Sequence, residues 1–205
     1  MNKHLDTKVG SDYLGVLIFG PSRGSFRRYT TRAYLDLART LRTVEKSSRD
    51  LRVERCKDIL VSRLELLKRD ASWSMSQDSF DTWHEVTCSA LRTEFGASEM
   101  HYGQAQKWVN MTLKYVFTMG AVGIEDIEMI ERAYAWAHMP IDRIIITQIK
   151  AFGFPASSLP TGPWSKIGKD EYLKLQKDLR GYFEGECLMD TEFRLWKGLE
   201  PAKES

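Results

Sequence analysis

The chain has 205 residues, of which 42% are hydrophobic and 28% charged, with a formal net charge of +2. Such a length fits one domain, and such a composition excludes wholesale disorder and a polyionic chain. Three scattered cysteines, Cys56, Cys88 and Cys187, lie in no CxxC pairing, which excludes a disulfide framework, a structural zinc site and an iron–sulfur cluster.

Residues 1–30 read as an irregular, basic N-terminal segment. Its short apolar piece from Leu14 to Phe19 carries the chain's one weak strand signal and is stopped by Gly20-Pro21. Thr30 or Thr31 can cap a helix to about Val44, with Tyr34, Leu35, Leu37, Ala38 and Leu41 at helical spacing. A long helix is predicted from about Ser48 to Lys68, then a polar break around Trp73, then a helix capped by Asp78 or Ser79 that runs to about Phe95. The glycine-bracketed loop Gly96–Gly103 leads into the strongest helix, Gln104 to Gly120, whose Ala105, Val109, Thr112, Leu113, Val116 and Phe117 form one face. A helix over 125–138 is ended by Pro140, and Asp142 is a natural cap for the next one, through Ile144, Ile145, Ile149 and Phe152. Residues 153–168, with three prolines and Trp164, form the longest loop. Helices over 169–183 and 188–196 close the domain, and 198–205 is a loose tail. The expectation is a single all-α domain over 1–205, packed helix on helix.

No apolar run approaches the ~18 residues of a membrane span, and no signal peptide pattern stands at the N-terminus, so a cytoplasmic protein that meets no membrane is expected. Charge is unevenly spread. Between Arg23 and Arg69 fourteen basic residues face six acidic ones. Either this half faces a polyanion, or it is a solvated helix surface laced with pairs at helical spacing.

The common catalytic signatures are absent: no Walker loop, GxGxxG, HExxH or GxSxG occurs, and His4, His84, His101 and His138 lack metal-ligand spacing. Two places break local rules. Lys107 falls in the first turn of the strongest predicted helix, where a cation opposes the macrodipole. Partial desolvation there would favour the free amine that a nucleophilic lysine needs. Lys107, Asn110 and Lys114 share one face at i, i+3 and i+7, a polar stripe opposite the core; the bland reading is that it faces water. The second place is Met139-Pro140-Ile141-Asp142, where a carboxylate caps a helix; the bland reading is a plain capping aspartate.

Together, Gln104-Ala105-Gln106-Lys107-Trp108-Val109-Asn110-Met111-Thr112-Leu113-Lys114 and the later Pro140-Ile141-Asp142 resemble the helix-hairpin-helix DNA glycosylase superfamily. They look most like its archaeal 8-oxoguanine glycosylase branch. The resemblance covers roughly 103–152, a quarter of the chain. It departs from the superfamily at the hairpin, where Gly96–Gly103 stands instead of a Leu-Pro-Gly-Val-Gly type turn, and in lacking a four-cysteine cluster. It implies a two-lobed helical fold with a cleft, Lys107 as amine nucleophile and Asp142 as the essential carboxylate. It also implies excision of a modified base, with or without strand nicking: an oxidised purine in repair, or hypermodified cytosine of phage DNA in anti-phage defence. Gln104, Trp108, Asn110, Met111 and Trp136 are then candidates for the base pocket, with Trp73 and Trp164 as further walls. Arg23, Arg27, Arg28 and Lys114 are candidates for phosphate contact. No cofactor or metal is implied, and a monomer acting on DNA is expected. The alternatives are a non-catalytic nucleic-acid-binding helical protein, which needs no pairing of Lys107 with Asp142, and a helical protein-interaction domain.

Overall fold

Helices supply all the regular structure: among the described residues there is no strand. The structure, a computed structural model, describes residues 7–20, 26–41, 45–69, 76–123 and 127–198, with the backbone alone at Thr7 and Met129.

The first departure from expectation is at the N-terminus. Residues expected to be irregular form helix α1 (Thr7–Phe19). A short apolar run is compatible with either periodicity, and here the helix wins. Phe19 supplies the anchor, edge-on to Tyr29 at 5.0 Å and to Tyr115 at 5.3 Å between ring centroids. Gly20 stops the helix with φ +84, a conformation that suits glycine, and its N–H bonds back to the Val16 carbonyl.

Helix α2 (Arg27–Leu37) starts before the expected threonine cap and tightens into a 3-10 turn over Ala38–Leu41. Helix α3 (Lys46–Arg69) buries Val53, Cys56, Leu60, Leu64 and Leu67. Helix α4 (Gln77–Phe95) is capped by Ser76, which exchanges bonds with Ser79 in a capping box, two or three residues ahead of the expected cap. Helix α5 (Tyr102–Ala121) is the axis of the molecule, packed against α2, α4 and the 3-10 turn at Trp164–Lys166. Sixteen of its twenty residues are buried. It is therefore a helix enclosed all round, and its polar stripe faces protein, not water. Gly103 is required by this packing: a Cβ there would overlap the Trp164 carbonyl, and the Gly103 N–H donates to Ile167 O.

The helix expected over 125–138 is instead a single turn, α6 (Glu128–Glu131), and a 3-10 turn at Tyr134–Trp136. Ala137 turns the chain into an extended conformation, and the segment that follows runs into Pro140, whose predecessor is disfavoured in a helix. Asp142 then opens α7 (Arg143–Ala151), and α8 (Lys169–Tyr182) and α9 (Leu188–Trp196) complete the fold. Helix α8 packs on α5, and α9 packs on α7. None of the helices described is long and apolar enough to cross a membrane. The expected tail beyond Gly198 lies outside the described residues.

Candidate functional site

Asp142 has β-region dihedrals, so its side chain folds over the first turn of α7. One carboxylate oxygen, Oδ1, accepts from the Ile145 N–H at 2.9 Å and satisfies a donor that the helix leaves open. The other oxygen, Oδ2, accepts from Lys107 Nζ at 2.6 Å. The two oxygens thus divide the work, one capping a helix and the other holding an ammonium. The pair is largely sealed, with the side chains 5% (Lys107) and 17% (Asp142) exposed. Because α5 begins two residues earlier than expected, Lys107 stands in its second turn. There the carboxylate, rather than the helix end, is its strongest electrostatic neighbour.

The backbone that carries Asp142 is held by side-chain amides. Gln106 donates to Ile141 O at 2.9 Å and accepts from Ile141 N at 3.3 Å. Gln176, on α8, does the same for Met139, donating to its carbonyl at 2.8 Å and accepting from its N–H at 3.1 Å. Two buried glutamines thus pair with alternate residues of an extended segment, as a neighbouring strand would. An extended segment inside a helical protein has no ladder of its own, and its buried N–H and C=O groups need such partners.

A wider polar network backs this clamp. Asn110 donates to Gln106 Oε1 at 3.0 Å and to the Tyr172 hydroxyl at 2.8 Å. His138 meets that hydroxyl through Nδ1 at 2.9 Å and Asp81 through Nε2 at 2.7 Å. His84 meets the Asn110 carbonyl oxygen at 3.0 Å and stacks on Tyr172. Burial lowers the proton affinity of both imidazoles, that of His84 well below the ordinary value. Burial alone would raise Asp81, but the bond to His138, that ring's charge, Gln77 and Arg180 together hold it at about 2.

A second lysine–carboxylate pair lies on the same side of α5. Lys114 Nζ bonds Glu192 Oε2, and the side chains are 10% and 1% exposed. Burial raises the Glu192 carboxyl, against the pull of Lys114 and Lys107.

The other expected site residues are not gathered around Lys107. Gln104 caps α5, accepting from His101 N at 2.7 Å, and donates to Thr40. Trp108 is fully buried and donates to Thr30 O at 2.8 Å. Asn110 is spent on the network, and Met111 is core. Trp136 and Trp164 are half-buried against the core. Trp108, Asn110 and Met111 are taken up by packing and by bonds inside the protein, while Gln104, its amide bonded to His101 and Thr40, borders a recess. Neither described recess, one lined by Thr40, His101, Gln104 and Lys166 and the other by Asp81, Glu85, Lys174 and Arg180, includes Lys107 or Asp142.

The phosphate-contact candidates fare similarly. Arg27 bonds both Glu54 and Asp58. Arg28 is buried against the Tyr29 ring, and its Nη2 donates to the Tyr29 hydroxyl. Lys114 is committed to Glu192. Arg23 and Trp73 lie outside the described residues. The basic excess of α2 and α3 is largely matched by carboxylates: Arg32 with Asp36, Arg52 with Glu99, Arg55 with Glu94, Lys57 with Glu54 and Arg69 with Glu65.

Sequence reasoning missed Gln106, Gln176, Tyr172 and Glu192. A signal existed for two of them. Glu192 falls between Leu188 and Leu195 on the buried face of α9, and Gln176 falls between Tyr172 and Leu179 on the buried face of α8. A polar residue at a core position asks for a partner.

Among the described residues no group of three or more His, Cys, Asp or Glu side chains is arranged to hold a metal ion. Chemically, the Lys107–Asp142 pair can exchange a proton and, once it has done so, offer an amine next to a carboxyl group. Comparison with protein-family models, with curated proteins and with solved structures finds no match to this chain.

Proposed function

We propose that the chain is a DNA glycosylase that removes a modified base, with Lys107 as the amine nucleophile and Asp142 as the carboxylate that serves it. One observation carries this reading: the lysine and the aspartate singled out in sequence, 35 positions apart, form a buried ion pair. Burial of an ion pair rarely stabilises a protein relative to apolar packing, so a largely buried pair between α5 and the cap of α7 invites another reason to exist, and catalysis is a common one. The non-catalytic alternative does not need the pair.

In this mechanism the Lys107 ammonium gives a proton to Asp142, and the amine attacks C1′ of the target nucleotide. The C1′–N bond breaks, its electron pair leaves with the base, and the base takes up the proton that Asp142 received, which returns Asp142 to a carboxylate. The sugar passes through an oxocarbenium-like state whose charge a carboxylate at Asp142 stabilises. The amine then loses a proton, the sugar ring opens, and a Schiff base forms that β-elimination can carry on to strand nicking. If Lys107 stays out of line, Asp142 takes a proton from water instead, and a plain abasic site results. The base must first leave the stack. DNA would then lie in a cleft between two helical lobes, reaching the pair from the side where Asp142 is partly exposed. The substrate is an oxidised purine or hypermodified phage cytosine, and the enzyme works as a monomer in the cytoplasm.

The test is base release measured by mass spectrometry, with borohydride trapping, on 8-oxoguanine and uracil duplexes and on genomic DNA of phages with modified cytosines. The expected result is release of one base class and a trapped complex, with trapping lost in Lys107→Ala and release lost in Asp142→Asn. Full release by Asp142→Asn would remove the mechanism, and no release from any substrate would remove the function.

A further inference from the structure

Helix α7 starts at the residue after Asp142 and contains two basic side chains and no acidic one. Arg143, Thr147 and Lys150 fall at i, i+4 and i+7, so they share one face, and all three are exposed. At about 1.5 Å of rise per residue the two cations stand about 10 Å apart along the helix axis. Ile145 and Ile149, on the inner face, are fully buried. Thr147 turns its hydroxyl back to the Arg143 carbonyl, at 2.9 Å, and leaves the stripe open. Neither Arg143 nor Lys150 forms an ion pair or a side-chain hydrogen bond among the described residues. The carboxylates of the neighbouring elements are committed elsewhere. Asp142 gives its two oxygens to Lys107 and to the Ile145 N–H. On α9, which packs on α7, Asp190 accepts from Tyr134 and Glu192 from Lys114. Glu186, just ahead of α9, accepts from Arg194 and Thr191. Helices α2 and α3 differ, because their basic side chains are largely paired, Arg27 with two carboxylates at once.

We propose that the exposed face of α7, with Arg143 and Lys150, is a contact surface for the phosphate backbone of DNA, leading to Asp142. A cation with no partner inside the protein loses no ion pair when it meets a phosphate, whereas Arg27 must first leave Glu54 and Asp58. The stripe begins one residue after the carboxylate that bonds Lys107, on the element whose cap is 17% exposed. Cations repeated along one helix face suit a regularly repeating anion, while the core of a protein interface is depleted in charge. The choice of DNA rests on the glycosylase reading, but the surface can be tested without base release.

The experiment is fluorescence anisotropy of the full chain with a labelled duplex that carries a tetrahydrofuran abasic analogue, from about 50 to about 200 mM salt. Arg143→Ala and Lys150→Ala should each weaken binding about fivefold at about 0.15 M salt and lower the slope of log affinity against log salt by about one; the double variant should lower it by about two. Arg143→Lys keeps a positive charge and should keep the slope. Arg27→Ala is the control and should leave the slope as it is. Both stripe positions are exposed, so the variants should keep the wild-type circular dichroism. An unchanged slope in the folded double variant overturns the proposal, and so does a wild-type chain that binds no DNA. Binding of polyglutamate in place of DNA, lost in the double variant, would also overturn it and make the face a site for an acidic protein. A lowered slope in a protein that releases no base would uphold the surface and sink the glycosylase reading; base release with an unchanged slope would do the reverse.

Discussion

Along α2 and α3, arginines reach carboxylates at the surface; along α5, two lysines reach carboxylates inside the protein. Arg27 and its partner Glu54 are 39% and 50% exposed, whereas Lys107 and Asp142 are 5% and 17% exposed. The chemistry of the contacts is the same and their consequences differ. Water screens the surface pairs, each worth between nothing and about 1 kcal/mol. The interior pairs have given up their hydration, so each member depends on the other. The basic excess that stands out in sequence is therefore the weaker electrostatic feature, and two lysines on an enclosed helix are the stronger one. On that contrast, substitutions inside should be costly and those outside nearly silent.

The largest effect is expected at Asp142. Asp142→Ala strips the cap from α7, about 1 kcal/mol, and leaves the Lys107 ammonium without a partner, about 3–5 kcal/mol. Urea denaturation should show a loss in the upper part of that range. Asp142→Asn keeps an acceptor for the Ile145 N–H and should lose less, while base release is lost in both. A cost below about 1 kcal/mol in Asp142→Ala would mean that Lys107 finds water readily, and the interior would then resemble the surface.

This difference between regions bears on what is legible in sequence. Helix class, and most boundaries from α3 to α9, follow from apolar spacing, caps and breakers, which are local causes. Two elements do not follow. The α1 segment depends on a tertiary anchor, Phe19 between Tyr29 and Tyr115. The helix expected over 125–138 yields to an extended segment whose partners lie far away in sequence. At the site, Lys107 and Asp142 stand out through local oddities. Gln106 and Gln176 do not, because a glutamine's value as a backbone partner depends on which segment passes it. The burial of Gln104, Trp108, Asn110 and Met111 is not legible for the converse reason: periodicity places a residue on a face but does not say whether another element covers it.

The clamp sharpens the comparison next. Gln106→Ala removes two bonds to Ile141, one to Gly103 O and the acceptor for Asn110. Buried groups left without partners cost about 1–3 kcal/mol each, with some relief from repacking, so a loss of about 2–3 kcal/mol is expected in denaturation. Asp142 should also lose its alignment, and base release should fall further than stability alone explains. A folded Gln106→Ala protein with unimpaired release would show that the clamp is not what holds Asp142.

The buried imidazoles give a pH signature that the surface lacks. His84 and His138 have lowered proton affinity when folded, so between their folded values and the ordinary 6.5 the unfolded chain binds protons that the native one refuses. Stability therefore falls as pH drops below about 6.5, by about 1.4 kcal/mol per pH unit for each imidazole kept neutral. Asp81 has the opposite chemistry and the same direction. Its carboxyl is depressed to about 2 from 3.8, so its contribution is full above about pH 4 and lost as pH falls toward 2. Urea midpoints measured between pH 7 and 5 should slope accordingly, and His84→Gln should flatten the slope. An equal slope in that variant would place the titration elsewhere.

The smallest effect is expected at the residue that looks most like a phosphate contact. Arg27 bonds two carboxylates of α3, and all three side chains are well exposed. Arg27→Ala should change stability by no more than about 0.5 kcal/mol, and that change should shrink further in about 0.5 M salt. Binding to DNA offers the sharper measurement. An arginine already neutralised by Glu54 and Asp58 must abandon them to meet a phosphate, so its loss should leave the salt dependence of DNA affinity almost unchanged. If Arg27→Ala instead lowers the slope of log affinity against log salt by about one, the surface pairs are exchangeable. The α2–α3 face would then hold DNA while the interior pair does the chemistry, and the two regions would differ in role as well as in burial.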